Sequence, residues 1–94
     1  MDFTQQEAND KVGKHVRVIK DEPDFLSERV PKGTHGKVVK ASYVDGTGVS
    51  VIKKYWAVNI RFYPPGKPKG VLIHHIGKDQ YDRSLSEADM VTAA

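Results

Sequence analysis

The chain reads as all-β, a small barrel of about five strands with flexible termini. Three observations predict this. Short apolar segments alternate with polar residues at period two, glycine and proline clusters separate those segments, and no stretch carries the spacing of a long amphipathic helix. With 94 residues the chain makes one domain. Closing the sheet into a barrel would remove exposed edges.

Taken in order, residues 1–10 form a polar leader. Thr4 and Glu7 have capping-box spacing, which allows a short fraying helix, but the composition predicts a flexible segment. The barrel domain is expected over residues 11–83. His15 to Lys20 alternates, with Val16 and Val18 on one side and His15 and Arg17 on the other, so it is a half-buried strand. Asp21 to Pro31 has two prolines and four acids and reads as a loop anchored by Phe25, Leu26 and Val30. Val30-Pro31-Lys32-Gly33 places proline and glycine as a tight turn requires. Gly36 is expected at a positive φ or a bulge.

Lys37 to Val44 is the second strand, and Asp45-Gly46-Thr47-Gly48 reads as a hairpin turn centred on Asp-Gly. Val49 to Lys53 continues as strand or broad loop. Tyr55 to Phe62 alternates most clearly: Trp56, Val58, Ile60 and Phe62 form the heart of the expected core, and Tyr55, Ala57, Asn59 and Arg61 face outward. Tyr63 to Gly70 holds three prolines and is an irregular loop, since proline donates nothing to a ladder. Val71 to Ile76 is the last strand, and a helical turn is allowed over Asp79 to Arg83. Residues 84–94 are expected as a flexible or short helical tail; Ser84 and Glu87 repeat the capping-box spacing.

Composition narrows the chemistry. No cysteine is present, so a thiol nucleophile, a cysteine-ligated zinc site and an iron–sulfur cluster are excluded. The expected setting is a reducing compartment, cytoplasmic or stromal in type. No stretch approaches the ~18 apolar residues of a membrane-spanning helix, and the acidic, polar start does not read as a secretory signal. The net charge of +3 is unevenly distributed. Asp2, Glu7 and Asp10 give residues 1–10 a charge of −3; Asp79, Asp82, Glu87 and Asp89 against Arg83 give residues 79–94 the same; residues 11–78 carry +9. A cationic body of this kind raises encounter rates with anionic partners.

The series Gly13-x-x-Val16-Arg17-Val18, a proline-containing loop, Gly33-x-x-Gly36-x-Val38, a turn and Tyr55-Trp56-x-Val58-x-Ile60-Arg61-Phe62 resembles the SH3-like barrels of photosynthetic electron-transfer complexes. These include the small barrel protein of photosystem I and the variable chain of ferredoxin–thioredoxin reductase. The resemblance covers residues 13–76 and departs from that set in the proline-rich loop 64–68 and in His74-His75. It implies an SH3-like barrel without catalytic residues of its own, docked on a larger complex and using basic residues to hold acidic ferredoxin. Gly36-x-Val38 also resembles the KOW motif of ribosomal proteins and elongation factors, which implies RNA or protein binding.

Catalytic constellations are not recognisable. Ser27, Ser42, Ser50, Ser84 and Ser86 sit in no nucleophile elbow. Asp21, Glu22, Asp24 and Glu28 are the available paired carboxylates, and they fall on a loop expected to be solvated. Gly33-x-x-Gly36 and Gly46-x-Gly48 lack the following helix of a phosphate cradle. His74 and His75 are adjacent on a strand and so point to opposite faces; a metal site would need His15 or His35 and a carboxylate such as Asp79 beside one of them. No metal or cofactor is expected.

What remains is the basic surface. Lys53, Lys54, Tyr55, Arg61, Tyr63, Lys67 and Lys69 are the candidate partner-binding residues, around the third strand and the proline-rich loop. Lys37 and Lys40 join them if a bulge near Gly36 permits. Cations interleaved with aromatics suit an acidic protein and also suit nucleic acid, by phosphate neutralisation and base stacking. The expectation is a non-catalytic accessory module, monomeric when isolated, that docks on an acidic protein or a larger complex through a basic barrel face, with RNA binding as the alternative.

Overall fold

A computed structural model describes residues 1–47 and 52–88. Five antiparallel strands form one sheet in the order β4-β3-β2-β1-β5. They are β1 (His15–Val18), β2 (His35–Thr47), β3 (Ile52–Phe62), β4 (Val71–Ile76) and β5 (Leu85–Ala88), with helices α1 (Gln5–Lys11), α2 (Pro23–Leu26) and α3 (Lys78–Ser84) between and before them. The architecture is mostly β and compatible with a small SH3-like barrel. The hydrogen-bonded ladder itself is open, with β4 and β5 at its edges.

β-branched residues supply the inward positions because they fit a pleated, half-buried surface. Val16, Val18, Val38, Val58, Ile60, Phe62 and Ile76 are buried in one cluster with Phe25 of α2 and Val30 of the loop after it. Phe25 and Phe62 pack at 5.3 Å between ring centroids. Trp56, expected with the core, is partly buried and packs against its margin. The outward side of β3 departs from the expectation: Ala57 and Asn59 are buried as well.

The described segments before β1 and after α3 pack on the body. The capping box of Thr4 and Glu7 is formed, and α1 buries Ala8. Phe3 is 4% exposed, bridges to Trp56 and meets Tyr81 edge-on. Among residues expected as a flexible leader, apolar anchoring of Phe3 and Ala8 therefore fixes the helix that the capping-box spacing allowed. Beyond Ser84 the chain turns extended: Leu85–Ala88 pair with His15–Val18 rather than forming a helix, because the Leu85 side chain buries there. Residues 89–94 lie outside the described residues.

Three local expectations are corrected. Asp45 and Gly46 are not the centre of a turn; they pair with Lys54 and Lys53 inside the β2–β3 ladder. Gly48, and the expected continuation over Val49 to Val51, lie outside the described residues. Gly36 has neither a positive φ nor the bulge. A Cβ there would lie 2.7 Å from Phe62 Cδ1, so the glycine admits the Phe62 ring beneath β2. The bulge instead falls at Val39, where the register slips between Val38 and Lys40. The acidic loop is also less solvated than expected, since Pro23 begins α2 and Glu22 is only 8% exposed.

Candidate functional site

Residues directly opposite on antiparallel strands project to the same side of the sheet. The register therefore builds one outer row, Ala88–His15–Lys37–Arg61–Leu72, across all five strands. A second row, Ser86–Arg17–His35, lies beside it. Tyr63 extends that row, its backbone N–H donating to the His35 carbonyl at 2.9 Å. No position in these rows is acidic. With neighbouring strands about 4.8 Å apart, Arg17, Lys37 and Arg61 form a compact cationic face.

His15 and His35 are diagonal neighbours across β1 and β2, and their rings stack at 5.3 Å with an interplanar angle of 9°. His15 Nδ1 and His35 Nε2 are buried without a hydrogen-bond partner. Burial lowers the pKa of His35, and the charges of His15 and Arg17 lower it further. A neutral His35 at the centre of the face thus limits its own positive charge.

The proline-rich loop is fastened to this face. Arg61 Nη1 donates to the Lys69 carbonyl at 3.1 Å. Lys67 N–H donates to the Pro64 carbonyl and Gly70 N–H to the Lys67 carbonyl, which closes two turns. Gly70 has φ +77°, and a Cβ on it would lie 2.7 Å from the Phe62 carbonyl oxygen. Lys67 and Lys69 are exposed along the loop.

Among the candidate residues, Arg61, Tyr63, Lys67 and Lys69 come together at this end of β3. Lys53 and Tyr55 do not join them. They lie on the same side of β3, but Lys53 is eight residues from Arg61, roughly 26 Å along an extended strand, and buried Ala57 and Asn59 interrupt the span. Tyr55 is half-buried, with its ring against Gly77. Lys54 points to the other side, opposite Asp45. Lys53, Lys54 and Tyr55 instead border a separate depression with Asp2. Lys37 and Lys40 are placed by the Val39 bulge, Lys37 opposite Arg61 and Lys40 opposite Asn59. His15, Arg17 and His35 were not among the candidate residues. The alternation of β1 already turned His15 and Arg17 outward, but only the β1–β2–β3 register shows that they share a face with Arg61.

The histidine pair on β4 is also corrected. Three β4 steps from Ile73 to Ile76 span the two β3 steps from Ile60 to Val58, so His74 and His75 occupy a bulge. His75 takes φ +60°. Both histidines are exposed, with rings 5.9 Å apart, rather than on opposite faces. Asn59 Oδ1 accepts from the His75 N–H at 3.0 Å and from Ser42 Oγ at 3.2 Å, which explains why this polar residue is buried. No group of three or more histidine or acidic side chains among the described residues is placed to hold a metal ion.

Two further polar clusters are structural in position. Glu22 accepts from Arg83, Ser84 and Gln80 where α3 meets the β1–β2 loop. Glu87 accepts from Lys11 and from the Tyr81 hydroxyl, tying α1 to β5. The Lys11 hydrogen bond holds the Glu87 carboxyl below its usual range, while burial pushes the Tyr81 phenol up.

Comparison of the chain with protein-family models, with curated proteins and with solved structures finds no match. The chemistry of the outer face therefore rests on its own residues. It offers fixed cations at strand spacing, two imidazoles and one exposed tyrosine. Groups of this kind are chemically suited to carboxylates or phosphates. No helix among the described residues is long and apolar enough to cross a membrane.

Proposed function

We propose that the protein is a non-catalytic docking module that holds an acidic protein, or an acidic component of a larger complex, against the outer face of β1, β2 and β3. One observation carries this reading: Lys37 lies directly opposite Arg61, with Arg17 in the adjoining row and, among the described residues, no acidic residue paired with any of them across the strands. Like charges on directly paired strand positions destabilise a sheet. Carboxylates from a partner relieve that repulsion on binding, and complementary charge speeds the encounter.

A ferredoxin-type electron carrier is the first partner to test, because the short sequence motifs resemble barrels that hold one.

Affinity for ferredoxin-type and other acidic proteins, measured at low and high salt, tests the proposal. Binding is expected to weaken steeply with salt and to fall about tenfold on Lys37→Glu. Binding that ignores both salt and that charge reversal would overturn it.

A further inference from the structure

Beside the cationic rows lies a groove of about 360 Å³, bordered by Pro31, Lys32, Thr34, His35, Tyr63 and Pro65. Its walls are built rather than loose. On one side Thr34 N–H and Oγ1 both bond the Pro31 carbonyl, the hydroxyl at 2.7 Å, and Gly33 turns the chain at φ +94°. On the other, Tyr63 stands between its bond to the His35 carbonyl and the close approach of Gly70, whose Cβ would lie 3.1 Å from Tyr63 Cε1. The proline rings fix φ on both walls.

The groove is lined mostly by apolar surface, with cations beside it. Tyr63 is 45% exposed while its backbone is held by the bond to His35. Arg17 Nη1 reaches to within 3.5 Å of the Gly33 carbonyl on the rim, and Lys32 borders the groove itself. The acid in that wall, Asp21, is engaged by the Lys32 backbone N–H at 2.8 Å. Interfaces between proteins combine an apolar anchor with a charged margin. A nucleic-acid backbone supplies the charge but no aliphatic anchor.

We propose that this groove binds an acidic peptide segment of the partner, with one aliphatic side chain seated between Pro31, Tyr63 and Pro65 and flanking carboxylates meeting Arg17, Lys32 and Lys37. This inference rests on the docking function proposed above and adds the anchor that such a partner must carry.

The test titrates the full chain with three probes. One is a short synthetic peptide with glutamates flanking a central leucine; another is the same peptide with serine in place of the leucine; the third is polyuridylate. The leucine peptide is expected to bind about tenfold more tightly than the serine peptide, with amide shifts at Thr34, His35 and Tyr63. Tyr63→Ala, at an exposed position, is expected to erase that difference. Pro65→Ser, also exposed, is expected to reduce it without altering the fold. Equal binding of the two peptides overturns the anchor while the docking function stands. Binding of polyuridylate alone, or of no probe, overturns both.

Discussion

Glu22 and Arg83 form a two-point clamp. The carboxylate accepts Arg83 Nε at 3.2 Å and Nη2 at 3.0 Å, and takes a third bond from buried Ser84 Oγ at 2.9 Å. The pair joins the acidic loop after β1 to the end of α3, just where the chain turns into β5. The bonds from Arg83, then from Ser84 and Gln80, outweigh burial and pull the Glu22 pKa down to about 2. A carboxylate depressed in the folded state stabilises above its unfolded pKa, and that stability is lost as pH falls through the folded value. The contribution should therefore be complete above the ordinary glutamate value of 4.5 and disappear toward about 2. Because Arg83 is half exposed, about 2 kcal/mol is the expected size after screening. Glu22→Gln should cost that much near neutrality, and denaturant melts from pH 7 to acid should show a flatter acid limb in the variant.

Gly36 and Gly46 make a matched pair. A Cβ at Gly36 meets Phe62 at 2.7 Å and Ile60 at 3.0 Å, and both side chains are fully buried. A Cβ at Gly46 meets nothing within 4 Å. Gly36→Ala is expected to destabilise by about 1–3 kcal/mol through overpacking, whereas Gly46→Ala should be neutral or slightly stabilising. Thermal melts of the two variants check the difference.

The β4 bulge depends on Asn59. Without the Asn59 amide oxygen, the His75 N–H loses its partner inside the bulge. Asn59→Ala should cost about 1–3 kcal/mol, and hydrogen exchange at the His75 amide should accelerate more than at the amides of β1. His75→Gly should be tolerated or stabilising, because φ +60° strains a residue with a Cβ; the same change at His74 should not stabilise.

Strand register makes the neighbouring lysines separable. Lys37 shares the outer rows with Arg61, while Lys54 lies on the other side of the hairpin opposite Asp45. Lys37→Glu should weaken binding of an acidic protein about tenfold, and Lys54→Glu should change it less than about twofold. Titration calorimetry at low salt distinguishes them.

Much of the fold was legible because period-two alternation is a local signal. Val16 and Val18, Val58 through Phe62, and the span of β4 follow from adjacent residues alone. The bulges were not legible. Val39 and the His74–His75 pair look like ordinary strand in sequence, and their extra residue appears only when the partner strand is aligned. The same non-local information decided the site. Arg61 and Tyr63 kept their expected company with Lys67 and Lys69 because a short loop connects them. Lys53 and Tyr55 separated from them because β3 is long, and Arg17 and His35 joined because β1 and β2 pair. Burial of Asn59 answers to a backbone N–H on another strand, and burial of Phe3 to Tyr81 and Trp56, which no neighbouring residue announces.

Chemical-shift mapping shows whether the outer face of β1, β2 and β3 docks an acidic protein. Titration of the isotope-labelled chain with an acidic ferredoxin-type protein at low salt should move the amides of Arg17, His35, Lys37 and Arg61 and leave those of Asp45 and Lys54 in place, with the shifts collapsing at high salt. Shifts confined to the far end of the β2–β3 hairpin, or the same shifts persisting at high salt, would contradict it.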